Sequence, residues 1–235
     1  MRLAPGYLDH CRQHPDTLLS YLGCHSIRLP FNTRKVYFVV MHNVLPCKPD
    51  LCFDLKGATS NRQRARGAAQ RALLSGARPA SSFATLLDKD WMAMGLTLNL
   101  SPQRKQALRR TLAADCTFMM REDLLDYSLL LGVVLPGGHE RARGDWLTGE
   151  GGETYFLGII DVLERWGGLR WKVQGSVLRC FFRYVMCSKW YNPEGITAVP
   201  PEPYALRFEE FFHIHVLGLP PEARREGAKS WHPFW

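Results

Sequence analysis

Long uninterrupted apolar runs are missing from this 235-residue sequence. The most apolar stretch, residues 124–135, is interrupted by Asp126 and Ser128 and is shorter than the ~18 residues that indicate a membrane-spanning helix. The N-terminal segment carries Arg2 and Asp9 and has no apolar core of the kind found in secretory signals. These absences argue against a transmembrane helix and against export, so we expect a cytoplasmic protein.

Paired cysteine motifs are also absent, because none of the seven cysteines stands in a Cys-x-x-Cys arrangement. Without that spacing a zinc site is poorly supported, and buried free thiols are the simpler interpretation. Acidic residues are fewer than basic ones, 22 against 30, which leaves a formal charge of +8. The excess of basic residues predicts an anionic partner.

The positive charge is concentrated in two zones. Residues 56–110 hold eleven Lys and Arg against two Asp, and residues 165–189 hold six basic residues and no acidic one. Charge alone does not show whether the anionic partner is nucleic acid, an acidic lipid surface or a phosphorylated small molecule. The arginines of residues 62–71 are most simply a solvated surface. No motif that reads nucleic-acid sequence accompanies them, so only nonspecific, salt-sensitive binding to nucleic acid would follow.

Periodicity and turn residues predict a chain that mixes helices and strands. A helix is expected to start at Ser101, where a capping serine precedes Pro102, and to run to about Met120. The β-branched and aromatic segment 36–41 predicts a buried strand. The other expected strands are 24–29, 51–55, 127–135 and 155–160, and the other expected helices are 7–21 and 201–216.

Two aspartates interrupt apolar sequence, Asp126 in LLDYSLLLG and Asp161 in YFLGIIDVLE. A carboxylate in apolar surroundings is costly unless a positive group compensates it. Asp161 with Glu164 also fits a capping pattern that would begin a helix at Val162, whereas Asp126 has no comparable structural explanation. The residues alone support structural and functional roles about equally.

Lys56 lies in FDLKG, at the end of a predicted strand. Gly57 follows it directly and permits a turn in which the backbone approaches another group closely. Two acids and one Lys are the minimum set for phosphoryl transfer: one acid orients the attacking hydroxyl, the other holds Mg²⁺, and the Lys neutralises phosphate oxygens. If Asp126 and Asp161 are functional, Lys56 supplies that cation.

Several segments carry a family resemblance when they are taken together and in order. They are DLKGAT, DYSLLLG, YFLGIIDVL and ITAVPPEPYALRFEEF, supported by LAPGYLDHCRQHPDTLLSYLG, VYFVVMHNV and LLDKDW. The chain resembles the phosphatidylinositol phosphate kinases over about residues 3–217. This resemblance implies an α+β, protein-kinase-like lipid kinase fold. The implied parts are a small-lobe remnant with the interlobe connector at 1–45, a large catalytic lobe at 46–218 and a C-terminal tail at 219–235.

The resemblance also implies roles for individual residues. Asp126 would be the catalytic acid with Lys56 beside it, and Asp161 would be the Mg²⁺ ligand. The connector would bind ATP together with Lys56, through Met41, Asn43 and Val44. The activation-loop region would contact an anionic phosphoinositide membrane through Arg170, Lys172, Arg179, Arg183 and Lys189. An amphipathic helix at 176–187 would either insert into that surface or belong to the core.

The implied reaction is transfer of a phosphoryl group from Mg²⁺-ATP to an inositol hydroxyl, and the phosphatidylinositol 4-phosphate 5-kinases are the favoured subtype. Such a protein acts peripherally at the cytosolic face of membranes. In the family a glycine-rich loop and a small-lobe lysine precede the matching segments, and neither is found in this sequence. We therefore expect a fold truncated at the N-terminal lobe and low activity. The alternatives are an inactive pseudokinase and a basic module that binds membranes or other anions; the oligomeric state stays open.

Overall fold

The computed structural model describes residues 3–28, 35–59, 62–65, 85–137, 147–162, 164–166 and 199–221. Helices and mostly antiparallel strands both contribute to these ranges, so the α+β prediction is confirmed at that level. The helices are α1 (Leu3–Gln13), α2 (Asp88–Met94), α3 (Pro102–Arg121) and α4 (Pro201–Phe211), which continues into a π-helical segment (Phe212–Val216). The strands are β1 (Tyr21–Arg28), β2 (Lys35–Met41), β3 (Leu51–Leu55), β4 (Leu86–Leu87), β5 (Leu124–Leu125), β6 (Ser128–Val134), β7 (Leu147–Thr148), β8 (Thr154–Ile160) and β9 (Glu164–Arg165).

A five-stranded sheet with the order β4-β3-β6-β8-β7 forms the centre of the fold. Its middle strands are apolar on both faces, and all but one residue of β6 is buried. A continuous apolar run of this length is typical of a strand covered on both faces, because alternation is needed only where one face meets water. The strands predicted at 51–55, 127–135 and 155–160 are confirmed, with boundaries shifted by one residue or less.

The hairpin of β1 and β2 contradicts the prediction of a buried strand at 36–41. The strand exists, but Tyr37 is 67% exposed and Leu22, on the neighbouring strand, is 60% exposed. In the described residues these two strands pair only with each other, as an antiparallel ladder. The prediction of burial is wrong because apolar composition favours a strand, whereas burial requires another element packed on its face.

The first helix is shorter than the predicted span of 7–21, because α1 ends at Gln13 and Pro15 follows two residues later. A fully buried carboxylate in α3, that of Asp115, ties the chain after α1 to the core. Its Oδ1 lies 2.6 Å from His10 Nε2, and its Oδ2 accepts a hydrogen bond from the Leu18 N–H at 2.8 Å. These bonds compensate the cost of burying the charge.

The predicted start of the long central helix is confirmed. Ser101 Oγ accepts a hydrogen bond from the Arg104 N–H, and Pro102 occupies the first turn, where a missing N–H costs nothing. The helix runs to Arg121. The predicted last helix is confirmed over α4, after which the chain continues as the π-helical segment rather than as regular α-helix.

The cysteines of the described ranges form no disulfide with one another, as the sequence predicts, but they are not all buried. Cys116 is buried in α3, whereas Cys24 is exposed on β1. The prediction of burial is therefore wrong for Cys24, which lies on the same uncovered hairpin as Leu22.

Several predictions fall outside the described residues. These include the amphipathic helix at 176–187 and the basic residues expected to meet a membrane, namely Arg170, Lys172, Arg179, Arg183 and Lys189. Among the helices that the structure does describe, none has both the length and the apolar character needed to cross a bilayer.

Candidate active site

One edge of the central sheet brings the three sequence-predicted functional residues together. Strand β3 runs antiparallel to β6, and β6 runs antiparallel to β8. The end of β3, the start of β6 and the end of β8 therefore lie at the same edge. Lys56 directly follows β3, Asp126 lies two residues before β6, and Asp161 directly follows β8.

Both aspartates lie where one ladder stops and another begins. The β6–β8 ladder ends at the pair Ser128–Ile160, and the short β5–β9 ladder resumes at Leu125–Glu164. In this interval Asp126 and Asp161 each have a φ of 62°, in the left-handed region that Asp tolerates better than most residues. Neither aspartate therefore continues the extended backbone of its strand. Such conformations recur at functional sites, where surrounding structure holds them in place.

The capping interpretation of Asp161 is wrong. Glu164 does not belong to a helix, because it lies in β9, where it pairs with Leu125. The capping box needs helical backbone after the cap residue, and the competing strand pairing removes it. Asp161 is exposed, so its carboxylate is open to solvent at the sheet edge.

Lys56 and Asp126 form a direct ion pair. The Lys56 ammonium donates hydrogen bonds to Asp126 Oδ1 at 2.7 Å and to the Asp126 backbone carbonyl at 2.5 Å. The lysine side chain is 11% exposed and the aspartate side chain is 33% exposed. The cation is thus largely withdrawn from water, whereas part of the carboxylate stays accessible, as required of a group that is to meet a substrate.

Gly57 allows the chain to turn immediately after Lys56. Its φ is 67°, and a Cβ at this position would lie 3.0 Å from the Phe208 Cα and 3.1 Å from the Arg207 carbonyl oxygen. Only glycine combines the left-handed conformation with so close an approach. The sequence predicted a close backbone approach here, and its partner is helix α4. This contact fixes the position from which the Lys56 side chain extends.

A buried carboxylate that sequence reasoning did not select holds the same turn. Asp88, at the start of α2, is 0% exposed. Its Oδ1 accepts hydrogen bonds from the N–H groups of Lys56 and Ala58, at 3.0 and 3.2 Å. Its Oδ2 accepts from Arg62 Nε at 2.5 Å, and Arg62 also donates to Asp54 Oδ1 at 2.9 Å. Asp88 therefore holds the backbone at Lys56 and Ala58 and the side chain of Arg62.

The electrostatics of this cluster follow from its burial. Burial raises the pKa of the Asp88 carboxyl, although the Arg62 guanidinium and the backbone N–H donors oppose that shift. Burial lowers the pKa of the Arg62 guanidinium, but the charges and hydrogen bonds of Asp88 and Asp54 together outweigh burial, so that this pKa is raised. The prediction of a solvated surface for residues 62–71 is thus wrong at Arg62, whose side chain is 15% exposed. Asp88 follows the apolar pair Leu86–Leu87. Asp126 was selected as an acidic residue next to apolar sequence, and Asp88 meets the same description.

The predicted nucleotide connector leaves β2 and passes over the middle of the sheet. Met41 ends β2, and Asn43 Oδ1 accepts a hydrogen bond from the Leu45 N–H at 3.1 Å, which braces the turn. Val44 packs against β8 at Gly158, where a Cβ would lie 2.5 Å from the nearest Val44 methyl carbon. A glycine in β8 therefore lets the connector approach the sheet three residues before Asp161.

Replacing Gly158 with alanine should destabilise the protein by about 1–3 kcal/mol, because the added methyl group overlaps the Val44 side chain. Chemical denaturation measures this change. Gly6→Ala is the matched control, since a Cβ there would meet mainly the flexible end of Glu122 and alanine favours helix α1. Equal unfolding free energies for Gly158→Ala and the wild type would contradict the close packing of the connector.

Comparison with known proteins gives the family. A model of the family described as phosphatidylinositol-4-phosphate 5-kinase matches residues 1–148. The chain is 36% identical over 141 residues to phosphatidylinositol 4-phosphate 5-kinase-like protein 1 of Homo sapiens. This alignment covers 60% of this chain and 32% of the relative. It is 33% identical over 143 residues to phosphatidylinositol 4-phosphate 5-kinase its3 of Schizosaccharomyces pombe. That alignment covers 59% of this chain and 17% of the relative.

A third relative matches over a longer part of this chain. The phosphatidylinositol 4-phosphate 5-kinase of Plasmodium falciparum is 24% identical over 253 aligned residues, which cover 92% of the chain and 14% of the relative. The chain thus spans about a third or less of the length of these three relatives. The family model covers more than half of the chain and includes Lys56 and Asp126. The protein belongs to the phosphatidylinositol-4-phosphate 5-kinase family.

Proposed function

We propose that this chain carries the phosphoryl-transfer site of a phosphatidylinositol 4-phosphate 5-kinase. The observation that supports it most is the Lys56–Asp126 ion pair at the edge of the sheet that also presents Asp161. A cation, a partly accessible carboxylate and an exposed carboxylate are the groups that phosphoryl transfer requires. The names of the relatives and the family model support the same chemistry and favour the inositol 5-hydroxyl as acceptor.

Asp126 is the group that meets the attacking hydroxyl. Its carboxylate orients the hydroxyl before the reaction and accepts the hydroxyl proton as the new oxygen–phosphorus bond forms, while the bond from the γ-phosphorus of ATP to its bridging oxygen breaks and ADP leaves. The Lys56 ammonium lies 2.7 Å from the Asp126 carboxylate oxygen, and its positive charge would neutralise anionic oxygens of the substrate phosphates. Because the lysine is largely withdrawn from water, its field at those oxygens is stronger than it would be in bulk solvent.

Asp161 would hold Mg²⁺, and its environment fits that ion. Its carboxylate is exposed, and carboxylate oxygen is a preferred ligand for Mg²⁺. Within the described ranges no three His, Cys, Asp or Glu side chains form a metal-binding group. That agrees with the usual mode of Mg²⁺ binding in kinases, in which one or two carboxylates act with water and the substrate phosphates. The bound ion would neutralise charge on the phosphate oxygens.

The proposed fold is that of a protein-kinase-like lipid kinase. Residues 1–45 would contribute small-lobe strands and the connector, residues 46–218 the catalytic lobe, and residues 219–235 a tail. The bracing bond of Asn43 supports a fixed connector, on which Met41 and Val44 would meet the adenine of ATP. The basic residues between Arg170 and Lys189 would contact the anionic membrane, and the protein would act peripherally at its cytosolic face.

A lipid phosphorylation assay tests this proposal. The chain is incubated with vesicles of neutral phospholipid that contain phosphatidylinositol 4-phosphate, together with radiolabelled ATP and Mg²⁺, and the lipid products are separated by ring position. In line with the low activity expected from the sequence, we expect slow transfer of label into the bisphosphate phosphorylated at positions 4 and 5, and none when Mg²⁺ is chelated. Vesicle binding without transfer of label would favour the inactive pseudokinase or the basic binding module instead.

A further inference from the structure

A tyrosine of β1 contacts the turn that contains Asp161. The Val162 N–H donates a hydrogen bond to the Tyr21 hydroxyl oxygen at 3.1 Å, although the two residues are 141 positions apart. Val162 is 2% exposed. Its N–H lies immediately beyond Ile160 and Asp161, where the β6–β8 ladder has already ended. Tyr21 therefore supplies an acceptor to a buried N–H that the neighbouring strand does not reach.

Tyr21 is itself held in place by helix α1. The Tyr7 hydroxyl accepts a hydrogen bond from the Tyr21 N–H at 2.8 Å and lies 3.0 Å from the Leu19 carbonyl oxygen, to which it donates. The two tyrosine rings meet edge to face, with centroids 6.0 Å apart. Nearby, the Leu18 carbonyl accepts from the Ile159 N–H at 2.9 Å. The segment from Leu18 to Tyr21 thus runs along the last residues of β8.

The Asp161 backbone needs such support because its conformation is unfavourable. A φ of 62° is uncommon for any residue other than glycine and persists where neighbouring contacts hold it. The hydrogen bond from Val162 is on the peptide unit that directly follows Asp161, so it restrains the ψ angle of Asp161 and with it the turn at this residue.

We propose that Tyr21 is a positioning residue for the Mg²⁺ ligand Asp161, acting through the Val162 N–H. The inference rests on the function proposed above, because it assumes that the Asp161 carboxylate binds the divalent cation. Groups that orient metal ligands without touching the metal are worth about 10- to 100-fold in metal affinity. Tyr21 would therefore affect divalent-cation binding in addition to the stability of the turn.

The Tyr21→Phe variant tests this idea, since it removes the hydroxyl and keeps the ring that packs against Tyr7. Binding of Mn²⁺ to the protein in the presence of ATP, measured by equilibrium dialysis against the same Mn²⁺ and ATP concentrations without protein, should weaken about tenfold. Amide hydrogen exchange should become faster at Val162. The matched control is Tyr155→Phe, which removes a hydroxyl that accepts the Asn99 N–H at 3.1 Å at the opposite end of β8.

The expected result is weaker Mn²⁺ binding in Tyr21→Phe and unchanged binding in Tyr155→Phe, at similar midpoints of chemical denaturation. Unchanged Mn²⁺ affinity in Tyr21→Phe overturns the inference, and so does an equal loss in the two variants. Asp161→Asn separates this failure from a failure of the proposed function. If Asp161→Asn abolishes Mn²⁺ binding while Tyr21→Phe binds normally, only the role of Tyr21 is wrong. If Asp161→Asn binds normally, or the wild type does not bind Mn²⁺ with ATP, both proposals are wrong.

Discussion

Asp126→Asn should lower the rate of phosphoryl transfer to phosphatidylinositol 4-phosphate about a thousandfold, because an amide cannot accept the hydroxyl proton. Asparagine has nearly the same shape, tolerates the left-handed backbone found at position 126, and can still accept a hydrogen bond from Lys56. The loss is therefore expected in turnover and not in folding. Radiolabel transfer measures turnover, and co-sedimentation with the same vesicles measures lipid binding, which should not change.

Asp123→Asn is the matched control for this variant. Asp123 also has a left-handed backbone, with a φ of 57°, and it is exposed three residues before Asp126. It precedes the short strand β5, whereas Asp126 follows that strand, and its carbonyl accepts the Trp166 N–H at 2.7 Å. We expect wild-type turnover from this variant. Equal turnover in Asp126→Asn and Asp123→Asn would contradict the proposed role of Asp126 and would favour a non-catalytic module.

Asp88→Ala should destabilise the protein by about 3–5 kcal/mol, because it removes one partner of a buried ion pair and leaves the Arg62 guanidinium without that partner. The Lys56 and Ala58 N–H groups also lose their acceptor. Since these bonds hold the turn that carries Lys56, the variant should also lose turnover at temperatures where it remains folded. Denaturant unfolding gives the free-energy change, and the radiolabel assay gives the turnover.

Asp90→Ala separates general destabilisation from an effect on the site. Asp90 lies in the same helix, is 2% exposed, and accepts hydrogen bonds from the N–H groups of Arg64 and Ala65. Unlike Asp88, Asp90 accepts no hydrogen bond from Lys56, so its removal should lower stability with little change in turnover of the folded protein. An Asp88→Ala protein as stable as the wild type, or as active as Asp90→Ala, would contradict the role assigned to Asp88.

Local sequence patterns were sufficient for the elements that carry the site. The apolar runs before Lys56 and around Asp126 and Asp161 predicted strands β3, β6 and β8, and the serine and proline at 101 and 102 predicted the start of α3. These features depend on side-chain periodicity and on capping within a few residues, which is information that neighbouring residues contain. The same reasoning marked both aspartates as costly to bury.

Local patterns could not identify partners that are distant in the sequence. The bond between Arg62 and Asp88 joins residues 26 positions apart, and the ion pair between Lys56 and Asp126 joins residues 70 positions apart. The capping pattern at Asp161 predicted a helix, but the strand pairing of Glu164 with Leu125 replaced it. Propensity is a weak preference, and a tertiary contact that buries apolar surface or satisfies a backbone group outweighs it.

By itself, the sequence determined which residue types were available for chemistry and that three of them would stand at the ends of apolar strands. Only the tertiary structure decided that antiparallel pairing brings those ends to one edge, that the apolar face of the β1–β2 hairpin is exposed, and that Tyr21 reaches the turn after Asp161. The physical reason is that strand formation depends on local conformational preference. Contacts between distant residues depend on register, burial and the hydrogen bonds that remain to be satisfied once the sheet has formed.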